Sequence, residues 1–232
     1  MKVMERVALW RLRRELRRLQ SRYYRGSPSD APAIAAAYLA ALDRARAFFP
    51  APSRAVHLGA GGHRLRGWIN VDIVNDGVDV LADLSSSLPF RTESVSFVHS
   101  EDLLEHLDLS AGKALLAECH RVLRPGGVMR LLTPDLRALV QHVYVDRSAR
   151  HLAWCSTHLE ANGPAEALNM HLRMNGGHRF VYDEELLTQL LQSLGFRVRR
   201  VRYNWSPVRE LRYLDLRDFG LNLFLEAVKP GG

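Results

Sequence analysis

The chain has 232 residues, enough for one α/β domain with a modest appendage and a full buried core. No apolar stretch approaches the roughly 18 residues of a membrane-crossing helix, and the first residues lack the continuous apolar run of a secretory signal. The net charge of +7 is localised: residues 1–26 hold nine Lys and Arg against Glu5 and Glu15, which alone amounts to +7, so the remaining chain is balanced. Cys119 and Cys155 have neither metal nor CxxC spacing, and a reduced, cytoplasmic setting is the expectation.

In chain order, Leu9, Leu12, Leu16, Leu19 and Tyr23 recur in three- and four-residue steps, which places them on one stripe of a helix. Three roles are open for this basic arm, residues 1–26. It packs on its own domain or a second copy, lies on the anionic inner face of a membrane, or contacts nucleic acid. A Gly/Ser/Pro linker over residues 25–32 follows, with Ser29 or Asp30 placed to cap a helix over 32–48 that Pro50 and Pro52 close. From residue 27 to 232 one domain is expected. Strands are read at 55–58, 69–73, 79–81 and 95–99. A helix starting near Ser110 carries Leu115, Leu116, Cys119, Val122 and Leu123, with Gly126-Gly127 as its stop and a strand over 128–132. Asp183 caps a helix with Leu186, Leu187, Leu190 and Leu191, which Gly195 ends, and two long strands span 196–203 and 221–228. Strands alternating with helices imply a parallel sheet with ligand sites at the strands' carboxyl ends.

Two apolar runs carry the main signal. Val56-His57-Leu58 ends in Gly59-Ala60-Gly61-Gly62, and Gly67-Trp68-Ile69-Asn70-Val71 ends in Asp72. Glycines let a backbone approach a ligand where a side chain would collide, and a carboxylate at the next strand end takes both hydroxyls of a ribose. Three further segments join them: Ala82-Asp83-Leu84, Leu104-Glu105-His106, and Arg121 through Gly127. Together they resemble class I S-adenosylmethionine (SAM)-dependent methyltransferases over about residues 54–135, with weaker likeness to about 228. The short link between the glycine turn and Asp72 is similar to a bacterial subgroup of small methyltransferases tied to glycan and cell-envelope pathways. A nicotinamide-cofactor reading lacks the GxGxxG helix start and the ~20-residue spacing to the acid.

The resemblance implies a Rossmann-like, seven-stranded, mostly parallel sheet with helices on both faces and an antiparallel last strand. It implies SAM as cofactor. Gly59, Ala60 and Gly61 would line its methionine and ribose, Asp72 would hold the diol, Asp83 would accept from the adenine amino group, Leu84 would cover the ring and Ser100 would lie beneath the sulfonium. His57 stands where that family has an acid.

A sulfonium is itself a strong electrophile, so the protein must align an acceptor and, for a hydroxyl, remove its proton. His106 follows the fourth strand and Asp135 the fifth, a candidate base with its orienting carboxylate; the plainer roles are a loop cap and a helix start. Residues 151–182 are rich in polar groups and match the acceptor-binding insertion of the family resembled. His171, Asn175 and Tyr182 would contact the acceptor there, and His178 is an alternative base. No tight HxxxH spacing appears, so no metal is expected. The turn Thr133-Pro134-Asp135-Leu136 lacks the stacking aromatic used on flipped bases, and no Pro-Cys nucleophile is present, which disfavours nucleic acid. The expectation is O-methylation of a small-molecule or glycan acceptor. An RNA-directed methyltransferase using the basic arm and a non-catalytic SAM-binding assembly protein are the rivals.

Overall fold

The computed structural model describes residues 3–25, 29–49, 54–74 and 77–231, with the side chains of Val3, Tyr23, Tyr24, Arg25, Ala31 and Asn175 outside that description. Gly26, Ser27 and Pro28 of the expected linker, and the closing prolines Pro50 and Pro52, likewise lie outside the described residues. The helices are α1 (Val3–Arg25), α2 (Ala31–Arg46), α3 (Leu109–Val122), α4 (Leu136–Leu139), α5 (Ala149–Leu159), α6 (Pro164–Arg173) and α7 (Glu184–Ser193). The strands are β1 (Ala55–Leu58), β2 (Ile69–Asp72), β3 (Val80–Leu81), β4 (Val95–Glu101), β5 (Leu123–Pro134), β6 (Arg197–Arg200) and β7 (Asn222–Val228). They form one sheet in the order β3-β2-β1-β4-β5-β7-β6, in which six strands run one way and β7 runs against them. This is the Rossmann-like methyltransferase architecture. The short link between β1 and β2 contains only turns, as its ten residues require.

Two compact units divide the chain: residues 51–137, 173–202 and 221–232, which hold the sheet, and residues 1–50, 138–172 and 203–220. In the sheet unit, one face is apolar. Val56, Leu58, Val71, Val98, Met129, Leu131, Leu223 and Leu225 are buried together with Leu115, Leu116, Cys119 and Val122 of α3 and Leu187 and Leu191 of α7. Both helices start on side-chain caps: Asp108 accepts from Ala111 N at 2.9 Å, and Asp183 from Leu186 N at 2.9 Å.

The opposite face carries a row of polar residues directly across six strands. Asn70, His57, His99, Arg130, Glu226 and Arg199 are successive cross-strand partners, and the first five are buried. Arg130 Nη1 donates to Glu226 Oε1 at 3.0 Å and Nη2 to the Arg202 carbonyl at 3.1 Å, while Arg199 donates to Glu226 Oε2 at 2.8 and 2.6 Å. At the other end Asn70 Oδ1 accepts from Leu65 N at 2.8 Å and its Nδ2 donates to Asp79 Oδ2 at 2.9 Å.

Three expectations change. Gly126-Gly127 does not stop a helix, because α3 has already ended at Val122; the glycines shape an excursion between the Val95–Leu123 and Phe97–Val128 pairs of β4 and β5. Gly126 N donates to Lys229 O, and Gly127 O accepts from Lys229 N, each at 2.9 Å. The strand expected over 196–203 shrinks to four residues, because only Arg197 to Arg200 pair with β7. Tyr182, expected to touch an acceptor, is fully buried in the apolar cluster. Its ring meets Phe180 edge-on at 4.8 Å, and its hydroxyl has no hydrogen-bond partner. Burial, then the nearby Glu105 and Asp108, push that phenol up to about 12, so it stays protonated.

In the second unit α1 and α2 pack through Leu9, Leu16, Tyr38, Ala41, Leu42 and Ala45, with Tyr213 closing the cluster. Pro32 lies in the first turn of α2, and its N-cap Asp30 makes no side-chain cap bond. Glu15 of α1 meets Arg44 of α2 at 2.5 Å. Two reciprocal bonds tie Asn204 to Asp215: Asn204 N donates to Asp215 Oδ2 at 2.6 Å, and Asp215 N to Asn204 Oδ1 at 3.0 Å.

Glu226→Ala leaves the buried Arg130 guanidinium short of its counter-charge and should cost about 3–5 kcal/mol in denaturant unfolding. Replacing Arg130 and Glu226 together by apolar residues of similar volume should recover much of that loss. A second test concerns Gly112 of α3, where an added Cβ would stand 2.4 Å from the Tyr182 hydroxyl. Gly112→Ala should cost about 1–3 kcal/mol by overpacking, beyond the up to ~1 kcal/mol that alanine gains in a helix. In the Tyr182→Phe background the same change should become neutral or stabilising, a coupling that a double-mutant cycle reads directly.

Candidate active site

Parallel strands deliver their carboxyl ends to one edge, where Gly59, Asp72, Ser100 and Asp135 follow or end β1, β2, β4 and β5. After β1 the chain bends back on β2, with Gly59 N and Ala60 N both donating to Val71 O at 2.9 and 3.1 Å. Gly59 has φ +68°, and a Cβ there would lie 3.0 Å from Leu103 Cβ, so the turn rests on Leu103. Gly61 has φ +49° and open space where a side chain would go. Its N donates to Asp72 Oδ2 at 2.8 Å, and Val74 N donates to Asp72 Oδ1 at 3.0 Å. Each oxygen of this half-exposed carboxylate keeps a further lone pair for a ligand hydroxyl. Ser100 is buried, and its Oγ has no hydrogen-bond partner in the protein. A glycine cradle, a carboxylate at its lip and an orphaned hydroxyl beneath it fit a ribose-bearing cofactor.

Farther along the edge the fit is different from the sequence expectation. Asp83 Oδ1 already accepts from Ser85 Oγ at 2.7 Å and Ser85 N at 2.9 Å, and these bonds hold its carboxyl below the usual carboxylate range. Leu84, expected over the adenine ring, is buried in the apolar cluster instead, because it turns toward α3 and the sheet. Ile73, Val74 and Leu81 are the exposed apolar side chains at this edge, at 63, 62 and 60%. Their signal in the sequence was an apolar residue on the wet side of each strand end. His57 is buried in the polar row and pairs with Asn70 Oδ1 at 3.3 Å, so its departure from an acid serves the fold.

Beyond β4, Leu104–His106 forms one 3₁₀ turn. Glu105 points inward, fully buried, and its Oε2 accepts from Thr133 Oγ1 at 3.0 Å. Its backbone carbonyl accepts from Arg179 N at 2.7 Å and Phe180 N at 3.2 Å, which straps the following segment to the turn. His106 points outward and is exposed; its Nδ1–H donates to the Gly177 carbonyl at 2.9 Å. That bond fixes the neutral tautomer with a lone pair on Nε2. His178 meets His106 edge-on at 5.0 Å between ring centroids, and its Nε2 lies 4.0 Å from Glu105 Oε1.

One ligand atom each from Glu105, His106 and His178 lies within 4.8 Å of the others, so these three could also hold a divalent ion. The absence of HxxxH spacing did not anticipate this cluster, because its members come from two separate segments. His106 is not hydrogen-bonded to Asp135, which corrects the expected base-and-orienter pair. Asp135 Oδ1 accepts from Arg137 N at 3.0 Å and Oδ2 lies 3.9 Å from Arg200 Nη2, so the carboxylate caps its own turn and faces a cation. Glu105, passed over in the sequence, is the carboxylate beside the histidines.

His171 belongs to the second unit, buried with its Nδ1 4.0 Å from Cys155 Sγ and its ring 5.5 Å from Trp154. Burial pushes the Cys155 thiol up to about 11. Tyr182 sits in the core, and the side chain of Asn175 lies outside the described residues.

Residues 69–131, from the start of β2 into β5, match the methyltransferase domain family. No curated protein matches the chain in sequence. Among solved structures, the chain is similar to a SAM-dependent methyltransferase from Archaeoglobus fulgidus, with TM-score 0.55 and 18% identity over 90% of this chain and 97% of that one. It is also similar to a SAM-dependent methyltransferase from Mesorhizobium loti, with TM-score 0.50 and 16% identity over 88% and 99%. The pyocyanin biosynthetic protein PhzM gives TM-score 0.51 and 16% identity over 90% and 61%. At these identities the structural likeness speaks for the fold. Over residues 69–131 the sequence is similar to methyltransferase domains, and the fold is that of Rossmann-like methyltransferases; S-adenosyl-L-methionine is the cofactor that the two likenesses imply.

Proposed function

We propose that the protein is a SAM-dependent O-methyltransferase acting on a hydroxyl of a sugar or glycosylated small molecule. The observation that carries the reading is the His106 tautomer: Nδ1–H is spent on the Gly177 carbonyl, and Nε2 is left as an exposed proton acceptor past the end of β4. When bound, the cofactor supplies an electrophilic methyl group on sulfur. Gly59, Ala60 and Gly61 would line its amino-acid and ribose portions, Asp72 would accept from the ribose diol, and Ser100 would supply a hydroxyl beneath the sulfonium. Asp83 would stand at the adenine end, with the exposed Ile73 and Leu81, rather than the buried Leu84, covering the ring.

For an acceptor alcohol the chain must remove one proton as the methyl group leaves sulfur. His106 Nε2 takes that proton, and the Glu105 carboxyl, grouped with His106 and His178, would stabilise the resulting imidazolium in its ionised form. Asp135 then helps hold the acceptor end of β5 rather than orienting the base. His178, next to Glu105, is the second reading for the base, favoured by its 4.0 Å approach to that carboxylate. Residues 151–182, including His171 and Asn175, are the proposed acceptor-binding insertion. A polyhydroxylated acceptor suits a histidine base, while the missing aromatic clamp argues against a nucleobase.

Asp72→Ala should weaken SAM binding about tenfold or more in calorimetry, because two ribose hydroxyls lose a charged acceptor. Unchanged affinity would remove Asp72 from the site. His106→Ala should leave SAM affinity intact and lower turnover on a responsive sugar acceptor by about 10² or more. The double substitution with Glu105→Gln should cost little beyond the worse single change, since both act on one proton transfer. Full turnover in His106→Ala together with its loss in His178→Ala moves the base to His178.

A further inference from the structure

We infer that the outer face of α1 is a docking surface for an anionic lipid bilayer. The helix has two stripes of different character. Leu9, Leu12, Leu16 and Leu19 face α2 and belong to the packed cluster. The other stripe runs Met4, Val7, Arg11, Arg14, Arg18, Arg22 at three- and four-residue steps, and every member is exposed. At its start Met4, Val7 and Trp10 are 83, 46 and 53% exposed, and the Arg14 guanidinium lies 4.9 Å over the Trp10 ring. Arg17, also exposed, stands about two turns on from Trp10 on the same side of the helix.

The acids do not compensate this face. Glu15 is engaged with Arg44 of α2, and no Asp or Glu interrupts the outer stripe. Arg13 is likewise taken up, through Tyr213, which leaves the outer arginines as the available charge. A row of cations next to an exposed Trp and Met suits a surface that is negative at its headgroups and apolar a few ångströms deeper. A nucleic-acid partner would use the arginines but has no comparable use for Met4 and Val7. No helix among the described residues is long and apolar enough to cross a membrane, so docking would be peripheral. The inference does not depend on the methyl-transfer reading.

The test is co-sedimentation of the full chain with vesicles of phosphatidylcholine alone or mixed with phosphatidylglycerol. Binding should be at least about tenfold stronger to the anionic vesicles and should weaken as salt is raised. Arg11→Glu with Arg14→Glu and Arg18→Glu should abolish it. Trp10→Ser with Met4→Ser should reduce it about tenfold while leaving the charge unchanged. These positions lie off the packed stripe, so the thermal unfolding midpoint should stay in place and separate lost docking from lost folding. Equal binding to both vesicle types overturns the inference. So does tight binding of a single-stranded RNA that Trp10→Ser and Met4→Ser leave intact without any vesicle binding, or a dimer in solution that the triple Arg substitution dissolves.

Discussion

Arg130 carries a full positive charge where water does not reach, and much of the sheet is organised around keeping it paired. Its partners come from β7 and from the second residue after β6, while β5 itself is bonded to β4. A one-residue slip of β5 against β7 would turn Arg130 toward the apolar face and leave Glu226 without it. The loss of a buried ion partner is worth several kcal/mol, a large part of a small domain's total stability. The register is therefore specified from the interior outward. It is also what brings Leu58, Val71, Ser100 and Leu131 abreast, so that the strands end together at one edge.

That edge is where polar demands can be met by ligand atoms. The two oxygens of Asp72 bind Gly61 N and Val74 N and so shape the turn, and the partly exposed carboxylate keeps spare acceptor capacity. Ser100 differs, since its buried hydroxyl finds nothing in the protein to bond. An unsatisfied buried hydroxyl costs about 1–3 kcal/mol.

The sequence made the strand positions of the first half, the lack of a crossover helix before β2 and the glycine turn readable, because each rests on local residue types at fixed spacing. It did not reveal contacts between distant segments. Asp135 and His106 share the sheet edge but not a hydrogen bond, since Arg137 N and Arg200 take one acid and Gly177 the other ring. Tyr182 reads as polar in a polar stretch, yet Gly112, seventy residues earlier, opens the space that buries it. Leu84 follows an acid at a strand end, as a ring-covering residue would, but the two-residue β3 leaves it turned inward. Gly126-Gly127 carries the composition of a helix stop, and only pairing with Lys229 shows it to be a strand excursion. The helical stripe of the arm was legible from periodicity; its packing partner α2 was not.

The 3₁₀ turn at Leu104–His106 explains how neighbours can do opposite things. At three residues per turn, consecutive side chains diverge by about 120°, so Glu105 can be fully buried while His106 reaches solvent. Burial removes the Glu105 carboxyl from water, while exposure leaves the imidazole open to solvent. The strap formed by Arg179 N and Phe180 N on the Glu105 carbonyl then fixes Gly177 and His178 beside the ring. Because the Gly177 carbonyl occupies Nδ1, a proton or a divalent ion arriving at His106 must bind the same Nε2 atom. Occupancy by an ion would therefore exclude a proton from that atom. A proton and a divalent ion would thus compete for one nitrogen of His106, because the geometry of this turn commits the other to Gly177.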